Sequence, residues 1–246
     1  MKKIIRISIS ILAASLLLLV SCKKEKEKDG LKVEITIEQE CETVKAELED
    51  RLCDATTYVI DENKYKKDKF VLFLRDLNYD EVTSSFVNSN MPQNFTVSDR
   101  DVKANSIVFY CYNKSGVFLS KMLAYRKTAG NVLMGGQTTT TMHYYYVDGD
   151  VSISGNYSGN GVELNLSDLG LGLSGTVTVD YEISFEDCHL VKGWNKVYII
   201  GTITLEVATN KANLSFKTTT APQSGLSWRY ESTSNIDIIS LLSQKK

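Results

Sequence analysis

The chain has 246 residues with 28 basic and 30 acidic side chains, so its formal net charge is −2 at pH 7. The first 21 residues carry three of the basic groups and none of the acidic ones, which leaves the remainder at 25 against 30 and a charge of −5. A mildly acidic chain without a basic block argues against a nucleic-acid partner. The chain is also long enough to form a hydrophobic core that does not depend on disulfides or metal ions.

Residues 1–21 have the three parts of a secretory signal peptide. A basic n-region ending at Arg6 precedes an apolar segment over residues 7–20, and the small residue Ser21 occupies the cleavage position. Residues 16–22, which read LLLLVSC, resemble the lipobox of a bacterial lipoprotein. This resemblance implies that Cys22 becomes the lipidated first residue of the mature chain, where several acyl chains such as palmitate would give stable anchoring.

An uncleaved transmembrane anchor is the alternative, because residues 4–20 approach the lower limit of ~17 residues for crossing a bilayer. Arg6 and three interrupting serines weaken that alternative. Directly after Cys22, basic and acidic side chains alternate as far as Gly30. Such a segment has nothing to bury, so residues 22–30 are predicted to form a lipidated, charged tether and residues 31–246 the folded domain.

The predicted domain opens with a strand and a helix-like segment. Residues 33–37 alternate apolar with polar side chains, which predicts a half-buried strand. Val44, Leu48 and Leu52 then recur at every fourth position, and this spacing predicts one short helix over residues 42–52.

The rest of the chain has the period of two that is typical of strands, with turn residues between the strands. The predicted strands cover residues 69–74, 94–97, 106–112, 117–125, 138–147, 151–155, 162–166, 176–185, 197–207, 214–216 and 226–230. About a dozen short strands predict an all-β fold, namely an antiparallel β-sandwich. We expect one domain over residues 31–246, with a subdivision near residue 130 as the alternative.

Four cysteines follow Cys22, and an even number in an exported chain is compatible with two disulfides. No CxxC spacing occurs, so neither a redox motif nor a zinc ribbon is indicated. We predict a local bridge between Cys41 and Cys53, with Cys111 and Cys188 buried in the core. Free buried cysteines throughout are the alternative, since cysteine packs as a small hydrophobic residue.

Two glycine-containing motifs suggest ligand sites that their surroundings do not support. Residues 170–175 match the dinucleotide-binding pattern GxGxxG, but a strand follows where a helix would have to begin. Asp148-Gly149-Asp150 begins like a calcium-binding loop. The positions at which such a loop needs glycine and glutamate are occupied by Ile153 and Gly159 instead. A looser site from Asp148, Asp150 and Asn156 is the alternative to a simple turn. We therefore expect no cofactor and no metal ion.

His143 and His189 are the two histidines of the chain. Cys188 and His189 are adjacent, but neighbouring strand residues point to opposite faces. A nucleophile with its base therefore cannot be assembled from this pair, and no GxSxG elbow occurs. The sequence thus predicts no catalytic residue.

Aromatic residues are the remaining candidates for ligand contact. Trp194 precedes a regular strand and is predicted to fill the core. Trp228 and the run Tyr144, Tyr145 and Tyr146 are candidates for stacking on sugar rings, because three consecutive tyrosines on a strand face both sides of a sheet.

Five short segments together resemble a group of Bacteroidetes-type outer-membrane lipoproteins. They are DRDVK, YNKSG, YVDGDV, CHLVKGWNKVY and SGLSW, beginning at residues 99, 112, 146, 188 and 224. The resemblance covers roughly residues 95–230 and implies that this span is one β unit. That group offers no catalytic residue to carry over. The chain is more weakly similar to fimbrillin-like surface lipoproteins, which also place β-sandwich modules after a lipobox.

Together these observations favour a lipid-anchored envelope protein with a non-catalytic binding, adhesion or structural role, and not an enzyme. Its expected partners are the membrane, through Cys22, and a glycan or a protein. A glycan-binding accessory lipoprotein is one alternative, and an envelope hydrolase that uses His143 or His189 is the other. The expected location is the outer membrane, with the periplasmic side and the cell surface both open.

Overall fold

The computed structural model describes residues 30–49, 59–64, 69–82, 84–85, 94–128, 136–165, 174–206 and 208–231. The predicted signal peptide, Cys22, the tether as far as residue 29 and Cys53 lie outside these residues. The described strands are β1 (Leu31–Ile35), β2 (Thr43–Glu49), β3 (Val59–Lys64), β4 (Phe70–Leu74), β5 (Ser84–Ser85), β6 (Thr96–Val97), β7 (Lys103–Tyr112), β8 (Phe118–Lys127), β9 (Gln137–Val147), β10 (Val151–Asn165), β11 (Thr176–Leu190), β12 (Gly193–Glu206), β13 (Lys211–Thr219) and β14 (Ser227–Tyr230).

Twelve of these strands form one long sheet in the order β3-β2-β7-β8-β9-β12-β13-β11-β10-β6, with β5 beside β7 and β14 beside β8. β1 and β4 form a separate two-stranded sheet. The pairs are antiparallel except β11 with β13. The prediction of an all-β, mainly antiparallel sandwich of about a dozen strands is therefore confirmed. β8 pairs directly with β9, so the long sheet continues past residue 130.

The predicted helix over residues 42–52 is wrong, because the chain forms β2 there, paired with β3 and β7. Val44, Ala46 and Leu48 all point into the core, which is the period of two of a strand. A spacing of four between Val44 and Leu48 fits either a helix or a strand.

The first core cluster lies between the two-stranded sheet and the long sheet, and its largest fully buried side chains are Phe70, Ile35, Leu48, Leu72 and Leu74. The β3 side of this sandwich is closed by two hydrogen bonds. Asn63 Nδ2 donates to the Val71 carbonyl over 2.6 Å, and the Phe73 N–H donates to Asp61 Oδ2 over 2.7 Å. On the opposite side, no strand pair joins β1 to β14 within the described residues, and a cleft opens there.

The second core cluster lies on the other face of the long sheet and contains Leu164, Val177, Val179, Tyr181, Leu205, Ala212 and Leu214. The strand β12 contributes side chains to both clusters, on opposite faces of the sheet. Trp194 packs against the first cluster, whereas Leu205 belongs to the second. An odd number of positions separates the two residues in one regularly paired strand, so their side chains point to opposite faces. A third, smaller cluster surrounds Val147 and Cys188.

Cys41 forms a disulfide with Cys111 of β7, with their Cα atoms 5.8 Å apart. The predicted Cys41–Cys53 bridge is therefore wrong. The chain after β1 runs beside the end of β7, where the Glu42 N–H donates to the Tyr112 carbonyl over 2.9 Å, and this brings together cysteines 70 positions apart. Cys188 is a free cysteine and is buried, as predicted. Its burial raises the pKa of the thiol to about 11.

The KGWN segment at the start of β12 has a structural role. Trp194 packs edge-on against Tyr146 with ring centroids 5.3 Å apart, and its Nε1 donates to the Arg75 carbonyl over 2.8 Å. Asn195 closes the preceding turn, since its amide donates to the carbonyls of Val191 and Gly193 while its oxygen accepts from the Val191 N–H. The residues that carry the resemblance therefore fix the entry into β12.

Candidate functional site

An open cleft lies between β14 and the chain that leaves β1. It is open on one side and has a volume of about 640 Å³, and most of its lining residues are polar. We call it the Trp228 cleft, and its lining residues are Glu34, Thr36, Glu38, Gln39, Leu226, Ser227, Trp228 and Arg229. Two segments almost 200 positions apart in the sequence thus form its walls.

Trp228 is the apolar surface of the cleft. In β14 it lies opposite Ala124 of β8, and alternation turns Trp228 and Tyr230 toward the first core cluster. Its ring meets Phe109 edge-on at 5.1 Å between centroids, and the ring is only half-buried. One part of the indole therefore fixes the ring against the core, and the remainder lines the cleft.

The opposite wall carries carboxylates. Glu34 accepts from Lys32 Nζ over 2.6 Å and from Lys69 Nζ over 2.9 Å. These two hydrogen bonds, first that of Lys32 and then that of Lys69, lower the pKa of the Glu34 carboxyl to about 2. Glu34 is therefore a fixed anion at any neutral pH. Glu38 and Gln39 are exposed farther along the same wall and offer further oxygen and amide groups.

Arg229 stands at the mouth of the cleft. Its guanidinium lies over the ring of Tyr125 at 5.0 Å, and its Nη1 donates to the Tyr125 hydroxyl over 3.4 Å. Its Nε donates to Ser227 Oγ over 3.2 Å. These contacts hold the guanidinium on the face of the sheet that carries Ser227 and Tyr125, opposite to the face that carries the Trp228 ring.

The two walls are tied together below the cleft. The Tyr230 hydroxyl donates to the Glu40 carbonyl, and the adjacent Cys41 is held by its disulfide to Cys111. Arg126 Nη1 donates to the Ser224 carbonyl over 2.6 Å and so fixes the loop that enters β14. The cleft is therefore built on a braced framework and is largely formed in advance of any ligand.

The predicted stacking residues do not come together. Tyr144 and Tyr146 are only 3% and 5% exposed, because they point into the first cluster, so their assignment as stacking residues is wrong. Burial raises the pKa of Tyr144 above its ordinary value. Tyr145 is half-buried on the opposite face of β9 beside His143, with ring centroids 6.5 Å apart. Of the four predicted residues, Trp228 alone lines the cleft.

The two histidines lie apart from the cleft. His143 Nε2 is 3.0 Å from Thr141 Oγ1 on the same strand. His189 Nδ1 is 2.8 Å from Ser152 Oγ, because Ser152 of β10 lies directly opposite His189 of β11. Within the described residues no carboxylate bonds to His189, so this serine–histidine pair has no group to orient its base in the way that a catalytic triad requires.

The acidic side chains of the turn at residues 148–150 accept hydrogen bonds from backbone N–H groups. Asp148 Oδ1 accepts from the Lys103 N–H over 2.8 Å, and Asp150 Oδ1 accepts from the Lys192 N–H over 2.7 Å. Across the described ranges, no group of three or more His, Cys, Asp or Glu side chains is placed to hold a metal ion. The same ranges contain no helix with the length and apolar character needed to cross a membrane.

Sequence reasoning missed most of the cleft. Outside the cleft, the pairing of Ser152 with His189 could have been derived from a local pattern. β10 and β11 are consecutive antiparallel strands that pair Asn165 with Thr176. Because the two register shifts between these strands cancel each other, counting outward from that pair leads to Ser152 opposite His189. No such count is available for Glu34 and Trp228, since neither β1 nor β14 is joined to the other by a short turn.

Among the residues that the structure describes, the Trp228 cleft is lined by an aromatic ring, the fixed carboxylate of Glu34, the exposed Glu38 and the amide of Gln39, and by no histidine or cysteine. This set suits binding through stacking and hydrogen bonds. A glycosidase would need a carboxylic acid of raised pKa, and the pKa of Glu34 is lowered instead. No family model, no curated protein and no solved structure matches this chain.

Proposed function

We propose that this protein is a lipid-anchored protein of the bacterial envelope with a non-catalytic binding role, and that its ligand enters the Trp228 cleft. The observation that carries the binding role is the half-buried indole of Trp228, which lines an open cleft of about 640 Å³ together with Glu34, Glu38 and Gln39. An exposed aromatic face beside several polar groups can bind a ligand by stacking and by hydrogen bonds.

Two features support the envelope location. The lipobox-like residues 16–22 place Cys22 directly after a signal-peptide pattern. The Cys41–Cys111 disulfide fits an exported chain, because thiols in the bacterial cytoplasm are kept reduced. The proposal covers attachment on either side of the outer membrane, in keeping with the resemblance to Bacteroidetes-type lipoproteins.

Of a glycan and a protein, the glycan is the ligand class that the cleft favours. The Trp228 ring offers a flat surface for the face of a sugar, while Glu38 and Gln39 supply acceptors and donors for hydroxyl groups. The buried Tyr144 and Tyr146 leave this hypothesis with Trp228 as its stacking residue. The second candidate function is therefore a glycan-binding accessory lipoprotein.

Anchoring is tested by metabolic labelling with a palmitate analogue and by membrane fractionation. We expect the full chain to incorporate the label and to fractionate with the outer membrane, and Cys22→Ser to lose the label. An unlabelled wild-type chain, or a labelled Cys22→Ser variant, would contradict lipidation at this residue.

Ligand binding is tested by affinity electrophoresis of the full chain through gels that contain a panel of soluble polysaccharides. We expect at least one polysaccharide to retard the wild type, and Trp228→Ala and Gln39→Ala to lose that retardation. Gln39 is exposed, so its variant tests the cleft without disturbing the core. Tyr79→Ala, which removes an exposed aromatic ring elsewhere, is the matched control. Equal retardation of all variants would place the binding site outside the cleft.

A further inference from the structure

The outer edge of β8 is covered only in part. β14 lies along this edge opposite residues 122–125, and the Glu231 N–H extends the contact by donating to the Lys121 carbonyl over 2.8 Å. Met122 pairs with β7 on its other side, so β7 and β14 flank β8. Among the described residues, no strand lies opposite residues 118–120 on the β14 side. At Glu231 the chain therefore runs toward the uncovered end of β8.

That end of β8 carries an exposed apolar pair. Val117 and Phe118 are 57% and 51% exposed, although large apolar side chains usually contribute to a core. The loop before them is held by Asn113, whose Oδ1 accepts from the Val117 N–H over 2.9 Å. The Phe118 ring lies 5.9 Å from Tyr110 and 6.0 Å from Tyr112, between centroids. The end of the β7–β8 hairpin thus presents apolar surface in a defined position.

The sequence that follows Glu231 contains an apolar run. Residues 232–246 read STSNIDIISLLSQKK, so four polar residues precede the run over residues 236–242, in which five of seven side chains are isoleucine or leucine. These two residue types are among those most often buried in folded proteins. A run of this composition therefore favours burial against other apolar surface.

The register between β14 and β8 brings this run to the hairpin end. Each step forward along β14 is matched by one step back along β8, as far as Glu231 beside Lys121. The same register, continued over the four polar residues 232–235, ends opposite Val117. β8 has one extra residue relative to β7 between Phe118 and Ser120, which moves this endpoint by about one position. The connection therefore has the length needed to bring the apolar run to Val117 and Phe118.

We infer that residues 236–242 dock on Val117 and Phe118 of the same chain and close the apolar end of the β7–β8 hairpin. The short connection after β14 keeps the run beside the hairpin at a high effective concentration, which favours it over a separate partner. Covering the pair also removes exposed apolar surface through which copies of the chain would associate. The proposal depends neither on the lipid anchor nor on the Trp228 cleft.

The test is hydrogen–deuterium exchange of the full chain, read by mass spectrometry on peptides that cover residues 113–121. Ile238→Asp combined with Ile239→Asp places two charges inside the apolar run. Ser243→Asp combined with Gln244→Asp adds the same charge just beyond the run and is the matched control. We expect the first variant to lose amide protection at residues 118–120, because the run no longer covers them, and the control to keep it.

A reciprocal variant separates docking from a general loss of stability. Phe118→Ser should raise exchange within residues 232–246. Tyr79→Ser, which removes an exposed aromatic ring near Lys103 at the opposite end of β7, should leave that exchange unchanged. Unchanged exchange of residues 118–120 in the Ile238 and Ile239 variant, or of residues 232–246 in Phe118→Ser, overturns the proposal. Protection that disappears when the wild type is diluted also overturns it and assigns the apolar pair to a second copy of the chain.

Discussion

The two halves of the long sheet bury opposite faces and are built in different ways. The first half is covered by β1 and β4 and flanked by β14, so its core joins segments from both ends of the chain. The second half consists of the consecutive pairs β10–β11 and β12–β13, which meet in the parallel pair β11–β13. The cleft and the disulfide both belong to the first half. Function is thus proposed where sequence-distant segments meet.

The largest expected effect comes from emptying the first core. Phe70→Ala should lower the free energy of unfolding by about 3–5 kcal/mol, and Leu214→Ala in the second cluster by about 2–5 kcal/mol. Urea titrations followed by circular dichroism report the whole sheet, whereas Trp194 and Trp228 report the first cluster alone. Because β12 contributes to both clusters, we expect both signals to change together in each variant. Separate transitions would show that the halves unfold independently.

The disulfide should stabilise the first half by a similar amount. A bridge between cysteines 70 positions apart is worth about 4 kcal/mol in the chain-entropy description. Reduction should therefore lower the urea midpoint of the wild type. The double variant Cys41→Ala and Cys111→Ala should unfold at one midpoint with and without reductant, while Cys188→Ala should keep the wild-type response to reductant. A wild-type midpoint that ignores reductant would contradict the bridge.

Asn195 lies in the strand that joins the halves, and its loss should have a smaller effect. Asn195→Ala removes three hydrogen bonds from the turn before β12 and leaves backbone groups of that turn without this partner. We expect a loss of about 1–3 kcal/mol in urea unfolding. Asn156→Ala, which removes one exposed side-chain contact with Glu182 Oε1, is the control and should change little. Equal losses would contradict the role assigned to Asn195.

The smallest expected effect concerns pH. The pKa of Glu34 is lowered to about 2 in the folded protein, from 4.5, so the ionised carboxylate stabilises the fold above about pH 4.5. That contribution is lost as the pH falls from 4.5 toward 2. Glu34→Gln should therefore lose less stability than the wild type over this interval, in urea titrations at stepped pH. Because Glu34 is at the surface, the difference should also shrink in high salt.

Local pattern predicted the strands well where neighbours in sequence are neighbours in space. The β7–β8 hairpin follows from alternation on both sides of Asn113 and Gly116, and the same period located the strands of the second half. Residues 151–155 and 162–166, however, were predicted as two strands and form one, β10. The helix over residues 42–52 failed because a spacing of four is shared by both periods. In such cases the partner strand decides, and for β2 that partner is β7, which follows much later in the chain.

The candidate site was only partly predictable. Alternation showed that Tyr145 faces away from Tyr144 and Tyr146, but not which side is the core. That choice depends on β1 and β4 covering one face of the first half, while the second half buries the other face. Trp228 was identified by its residue type, whereas its neighbours Glu34 and Gln39 became visible only through the fold.

The bridge between Cys41 and Cys111 makes the framing of the Trp228 cleft depend on redox conditions. It fixes the segment through Glu40 that Tyr230 holds from the other wall, so the walls are fully braced only once both thiols are oxidised. Thiols in a bacterial cytoplasm stay reduced. Under the proposed export, the cleft would therefore reach its braced form only after the chain leaves the cytoplasm.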